Sequence, residues 1–389
     1  GELGGDELGG DELGGGEHLG PETLDATGAI VTPGFVDLQC NGAGGTDLTA
    51  DVAADAAAAD RVARVLPRFG VTSFLPTVVT SPMHVRDAAV AALRRRIPTG
   101  DAPGVPPGGR RVHEGATPPR NAMQNGAVAA VPIGLHFEGP MISIDHLGAH
   151  TRRFVTVPEP DEVDAWIDSG VVSLVTLAPE VDGALEIVGR LADAGITVSA
   201  GHTAMSPEIF ARARDAGLSF VTHLFNAMAP FGHRRPGPIG AALADDHVRA
   251  GLICDGLHVD PVAVRMAWRS LGPHRMVLVS DAAGPLGTAF GTFRLGTFDV
   301  VYDDTGVRTA DGVLAGSALE LDQAVRNLVE FTGCSLVEAL ATVTTTPADL
   351  LGLTDRGRVA VGHHADLTIL EPDGRLRATI VGGRLAWRS

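Results

Sequence analysis

Glu138, His202 and His223 each come at the end of a short apolar run, in GLHFE, TVSAGH and SFVTH, and together they offer one carboxylate and two imidazoles. Three protein donors with a fourth position left open are what a catalytic divalent cation needs. Other polar groups recur at the same kind of place: Asp37, Gln39 and Asn41 in FVDLQCN, His136 in LHFE, Asn226 after THLF, and Asp281 after MVLVS. Any one of them alone reads as an ordinary strand-end residue; the recurrence argues for a shared site. Two of the three donors also adjoin a glycine, in Glu138-Gly139 and Gly201-His202, the small residue that close backbone approach to a bound ligand requires.

Residues this far apart meet only if the fold brings strand ends together. Apolar runs at 34–38, 71–76, 133–137, 171–177, 196–200, 220–223, 251–254 and 276–280 alternate with helix-length amphipathic stretches such as 51–69, 183–194 and 207–216. That alternation signals parallel βα units. Eight of them predict a (β/α)8 barrel of the TIM kind, in which every strand ends on one rim. The chain of 389 residues exceeds the roughly 250 a barrel uses, which leaves room for an appendage. The barrel is expected over 33–349, with a Pro/Gly-rich loop insertion near 97–131. An excursion strand is expected at 295–302 and helices at 318–332 and 336–345. Residues 358–386 alternate apolar and polar positions around a Pro-Asp-Gly turn, which predicts short strands. With the strand before Pro33 they predict a small β domain built from 21–32 and 350–389, and the glycine-rich acidic repeat of residues 1–20 is expected to be a disordered tail.

Composition removes several function classes. A net charge of −17 argues against a nucleic-acid surface, which needs clustered Lys and Arg over a broad face. No apolar run reaches the roughly 18 residues of a membrane span. Cys40, Cys254 and Cys334 are scattered and odd in number, so neither a disulfide framework nor a zinc knuckle is expected, and a reducing cytoplasm fits. The N-terminus lacks the basic start and apolar core of a secretory signal. The chain contains no lysine at all, which excludes Schiff-base, Walker-type and carboxylated-lysine chemistry.

PGFVDLQCNGAGG from Pro33, GLHFEGP from Gly134, SAGHT from Ser199, THLFNAM from Thr222, CDGLHVD from Cys254 and VSDAAG from Val279 resemble the successive strand-end signatures of the N-acetylglucosamine-6-phosphate deacetylases of the amidohydrolase superfamily. The resemblance runs from about Gly28 to the C-terminus. It implies an amidohydrolase-type barrel with a small β-sandwich domain formed by the chain ends. It also implies hydrolysis of N-acetyl-D-glucosamine 6-phosphate to D-glucosamine 6-phosphate and acetate, in amino-sugar catabolism and cell-wall recycling. In that reading Glu138, His202 and His223 bind the metal and Asp281 is the acid/base. His150, in HLGAH, resembles the histidine that touches the substrate near the acyl carbonyl. Asn226 and Ala227 hold the sugar, and Arg234 of GHRRPGPIG matches the phosphate-binding arginine, with His258 beside it. Arginine donors suit phosphate oxygens, whereas Arg235 reads as a solvated surface charge. Relatives reach such groups across a subunit interface, which implies a homodimer.

Superfamily members often carry His-x-His at the end of strand one for a second metal. Here the place holds Gln39-Cys40-Asn41, and neutral amides are poor ligands for zinc-like ions, so one divalent metal is expected. Zinc suits one carboxylate and two imidazoles; iron, cobalt or manganese also fit. The chain departs from the family pattern at its start, where the acidic repeat stands in place of strands that complete the small domain, an arrangement expected to leave an open sheet edge. Two rival readings are a hydrolase of another acylated substrate, such as the galactosamine epimer or a cyclic amide, and a barrel scaffold without chemistry. The Arg234 cluster favours a phosphorylated substrate, and a scaffold should lack a ligand or the acid, all four of which are present.

Overall fold

The computed structural model describes residues 24–97, 123–124 and 127–389. The acidic repeat lies outside the described residues, as does most of the Pro/Gly-rich segment. Eight parallel strands follow one another in chain order around a barrel: β1 Phe35–Cys40, β2 Val71–Val79, β3 Leu135–Glu138, β4 Val172–Leu177, β5 Thr197–Ala200, β6 Leu218–Val221, β7 Arg249–Leu252 and β8 Met276–Leu278. All six residues of β1 are buried, as a parallel sheet covered on both faces requires. The intervening helices show why: in Ala184–Asp193 the buried positions are Ala184, Ile187, Val188 and Leu191, a single stripe turned toward the strands. The helix Pro207–Asp215 starts where Ser206 accepts a hydrogen bond from the Ile209 amide and a proline occupies the first turn. No helix among the described residues is long and apolar enough to cross a membrane.

The ring closes differently at its two ends. At the rim, the Asp281 amide donates to the Gln39 carbonyl at 2.9 Å and the Asn41 amide to the Ala282 carbonyl at 2.7 Å. At the opposite end, Val36 donates to Val343 at 2.8 Å and Leu278 to Thr342 at 3.2 Å, so a short piece of chain is wedged between β1 and β8. Direct contact at the rim matters for the site, because it sets the residues after β1 beside those after β8.

Three expectations need correction in detail. The second strand continues three residues past Pro76, its expected end. Proline is tolerated there because Ser73 and Phe74 pair with Val131 and Pro132, while pairing with β3 begins only at Thr77, so no amide is required between. The excursion is three antiparallel strands rather than one, Gly291–Leu295, Phe298–Asp303 and Gly306–Thr309, since Gly296-Thr297 forms a two-residue turn with Gly296 at φ 53°. The strands before His223 and Asp281 stop at Val221 and Leu278, two residues earlier than expected. The chain ends meet in a four-stranded antiparallel sheet, in which Ile30–Pro33 pairs with Leu367–Leu370, followed by Leu376–Val381 and Arg384–Arg388. Gly382 and Gly383, both at positive φ, make the tight turn between the last two.

Candidate active site

Glu138, His202 and His223 converge on one point. Glu138 Oε1 lies 3.1 Å from His202 Nε2 and 2.9 Å from His223 Nε2, and the two ring nitrogens are 3.2 Å apart. Donors about 2.0–2.1 Å from one ion at tetrahedral angles stand about 3.3 Å from each other, so the three side chains already sit near the edges of such a coordination shell. All three are buried, and they form the one cluster of metal-binding side chains found among the described residues. The tautomer of His202 is set for coordination: Nδ1 is 2.9 Å from the carbonyl oxygen of His146. That contact demands a proton on Nδ1 and frees the Nε2 lone pair. Burial disfavours charge on Glu138, but the ring nitrogens of His202 and His223 that face it hold its carboxyl well below the ordinary range. Burial likewise works against a charged His223, and Glu138 outweighs it and raises its pKa.

Asp281 is joined to Glu138 through Gln39, and Asn41 also holds it. Gln39 Nε2 donates to Glu138 Oε1 at 3.0 Å and to Asp281 Oδ1 at 2.9 Å, and Asn41 Nδ2 donates to the same Oδ1 at 2.7 Å. Both donors converge on Oδ1, which leaves Oδ2 to carry a proton. Burial first, and the Glu138 charge second, push the Asp281 carboxyl up to about 7. His150 is neutral, its pKa driven down to about 3 by burial and by His202. Its Nε2 stands 3.9 Å from Glu138 Oε2 and its Nδ1 2.7 Å from Thr80 Oγ1.

The backbone turns sharply to deliver these groups. His202, His223 and Asp281 adopt φ of 50°, 27° and 47°, and Phe225 and Ala227 follow at 81° and 49°. Such conformations are strained for residues with a Cβ and cluster where the surrounding structure over-determines them. The glycines beside the donors are required by neighbouring side chains. A Cβ on Gly201 would stand 2.6 Å from Thr176 Cγ2, and one on Gly139 2.1 Å from Thr80 Oγ1; the one makes room for a threonine within β4, the other for a threonine just past the end of β2.

A cavity of about 420 Å³ spans these groups, a size that suits a small ligand. Glu138, His150, His202, His223 and Asp281 line it together with Asn226, Ala227 and His258. Leu295 and Phe298 of the excursion sheet, with Val313 and Leu314 from the segment that follows it, form an apolar wall. His258 is oriented by Asp255, whose Oδ2 is 2.6 Å from Nδ1. Arg234 is not brought to this cavity: His233, Arg234 and Arg235 are exposed on a turn closed by reciprocal hydrogen bonds between Gly232 and Arg235. His136 and Asp37 are structural. His136 is buried between Thr77 and Thr176 and kept neutral, with a pKa of about 4, by burial. Asp37 accepts from the Ser280 hydroxyl and amide and ties β1 to the segment after β8. Thr80, the bridging by Gln39 and the second donation by Asn41 were not foreseen; nothing in the sequence separates Thr80 from the other threonines that follow apolar runs.

The chain matches the amidohydrolase family over residues 30–386. It is 35% identical over 378 residues to an N-acetylglucosamine-6-phosphate deacetylase of Bos taurus, covering 94% of this chain and 86% of the relative. The crystal structure of such a deacetylase from Pasteurella multocida superposes with a TM-score of 0.82 at 29% identity, over 94% of this chain and 88% of that one. A mutant deacetylase from Mycobacterium smegmatis in complex with N-acetyl-D-glucosamine-6-phosphate gives a TM-score of 0.80 at 31% identity, over 92% and 87% of the two chains.

Proposed function

Because the chain belongs to the amidohydrolase family, and within it to the N-acetylglucosamine-6-phosphate deacetylases, we propose that Asp281 is the proton carrier of an acetamide hydrolysis and that Glu138, His202 and His223 hold the cation it needs. The reaction is hydrolysis of N-acetyl-D-glucosamine 6-phosphate to D-glucosamine 6-phosphate and acetate. The observation that carries the assignment of roles is the convergence of three donors within about 3 Å, with Asp281 tied to the same carboxylate through Gln39.

A divalent cation held there supplies Lewis acidity to the amide carbonyl and lowers the pKa of water toward about 7. Asp281 takes the proton of the attacking water on Oδ2, while Gln39 and Asn41 hold Oδ1, and returns it to the departing nitrogen. His150 presents its Nε2 edge to the carbonyl oxygen, where negative charge grows in the transition state. Asn226 and Ala227 orient the sugar, and His258 extends the polar wall on the phosphate side. Zinc is the metal this donor set favours, in a single site, because the strand-one position offers only amides.

Arg234 binds the phosphate from a second copy of the chain in a homodimer; its exposure, clear of its own cavity, supports that arrangement. The cytoplasm is the compartment we propose, supported by three free cysteines. Acetate release from the 6-phosphates of N-acetylglucosamine and N-acetylgalactosamine, and from unphosphorylated N-acetylglucosamine, tests the reading. The glucosamine phosphate is expected to be hydrolysed fastest, and no release from either phosphate by the metal-loaded protein would refute it.

A further inference from the structure

Stabilising a carbonyl oxygen requires an N–H on the ring edge of His150 that faces the metal donors, and a neutral imidazole carries only one. The ring turns Nε2 toward the carboxylate of Glu138, 3.9 Å from Oε2. A bare lone pair on that edge would face an anion; an N–H there faces it favourably. The other nitrogen, Nδ1, then needs a donor, and its hydrogen-bonding neighbour is the Thr80 hydroxyl at 2.7 Å. That hydroxyl has a second acceptor, the Glu138 carbonyl, but at 3.4 Å, so the shorter contact and the carboxylate on the far side of the ring select the same arrangement. Thr80 is buried, with 3% of its surface exposed. Its oxygen occupies space that only a glycine at position 139 leaves open, since a Cβ there would stand 2.1 Å away.

We propose that Thr80 is a positioning residue for the deacetylation: its hydroxyl donates to His150 Nδ1 and fixes the tautomer that presents Nε2–H to the substrate carbonyl. The proposal rests on the oxyanion role assigned to His150. Thr80 reaches the lining of the same cavity but acts on the reacting carbonyl through the imidazole, so its loss should weaken turnover more than substrate capture.

The test uses the zinc-loaded protein, ¹⁵N-labelled at histidine, with the His150 signals assigned by their disappearance in His150→Gln. In the wild type, Nε2 should carry the proton and Nδ1 should show the shift of an unprotonated ring nitrogen. Thr80→Val, nearly isosteric, should lose that pattern, and its kcat should fall by about 10- to 100-fold, less than the loss of an oxyanion donor itself. Its KM should stay within about threefold, the signature of an interaction used mainly in the transition state. Thr80→Ser should restore both the tautomer and most of kcat. A proton on Nδ1 in the wild type overturns the proposal without any variant, as does a folded, zinc-bound Thr80→Val with normal kcat. Failure of Thr80→Ser to recover activity assigns Thr80 to packing and also overturns it. The spectrum reports the tautomer even if the wild type releases no acetate, a result that would instead refute the deacetylase reading.

Discussion

Replacing Asp281 by asparagine changes one capacity and leaves the geometry standing. An asparagine that turns its amide oxygen toward Gln39 and Asn41 still accepts both hydrogen bonds that Oδ1 now accepts, at 2.9 and 2.7 Å. Its NH2 then occupies the place of Oδ2 and cannot take or return a proton. The remaining carboxylate in the cluster, Glu138, is committed to His202 and His223. Turnover should fall by at least about 100-fold, the lower range for general acid/base catalysis and equal to about 2.7 kcal/mol of barrier. Metal content and affinity for the sugar phosphate should be retained. Stability should move the other way in the metal-free protein. The folded-state pKa of Asp281 is raised from 3.8 to about 7, chiefly by burial and then by Glu138, so the wild type loses stability as pH rises from about 4 to about 7. The neutral variant escapes that loss and should melt no lower than the wild type at pH 8. Metal analysis, ligand titration and a melting curve on one preparation, alongside an acetate assay, separate the outcomes. Near-normal turnover refutes the assignment, and loss of the ion with rescue by added metal would make Asp281 a ligand instead.

Arg234→Ala should impair the phosphorylated substrate about 10- to 100-fold more than unphosphorylated N-acetylglucosamine, as the loss of a charge-assisted contact of about 1.5–3 kcal/mol implies; equal losses on both would remove Arg234 from the phosphate site. Gly201→Ala places a methyl group 2.6 Å from Thr176 Cγ2 and 3.0 Å from Thr222 Cβ. It should cost about 1–3 kcal/mol of stability and weaken metal binding at the adjacent His202; an unchanged denaturation midpoint would show that the strand end yields without strain.

Much of the site was legible because each donor closes an apolar run, and parallel strands of one barrel must end on one rim. GLHFE, SAGH and SFVTH each put a donor after an apolar run, and it is their recurrence that brings Glu138, His202 and His223 together on one rim. Other features were out of reach because they depend on three-dimensional closure. His136 and Glu138 lie two residues apart on one strand and so share its inward side, yet only Glu138 is at the rim; depth within a barrel is not written in a two-residue period. The left-handed turns at His202, His223 and Asp281 carry none of the glycine signature that usually marks such conformations. Gln39 and Asn41 were readable as poor ligands but not as the amides that hold Asp281 Oδ1, with Gln39 joining it to Glu138, since those contacts exist only where β1 meets the segment after β8. The excursion was misread as one strand because Gly296-Thr297 interrupts an otherwise continuous strand-forming stretch by only two residues.

One cation at Glu138, His202 and His223 should suffice for the deacetylation, and titration of the metal-stripped protein with zinc, read as acetate released from N-acetyl-D-glucosamine 6-phosphate, measures this. Activity should rise linearly and saturate at one equivalent per chain, and Glu138→Gln should abolish both zinc retention and the rise. Full activity in the stripped protein, or saturation only at two equivalents with the second lost on replacing Gln39, would rule out a single catalytic cation.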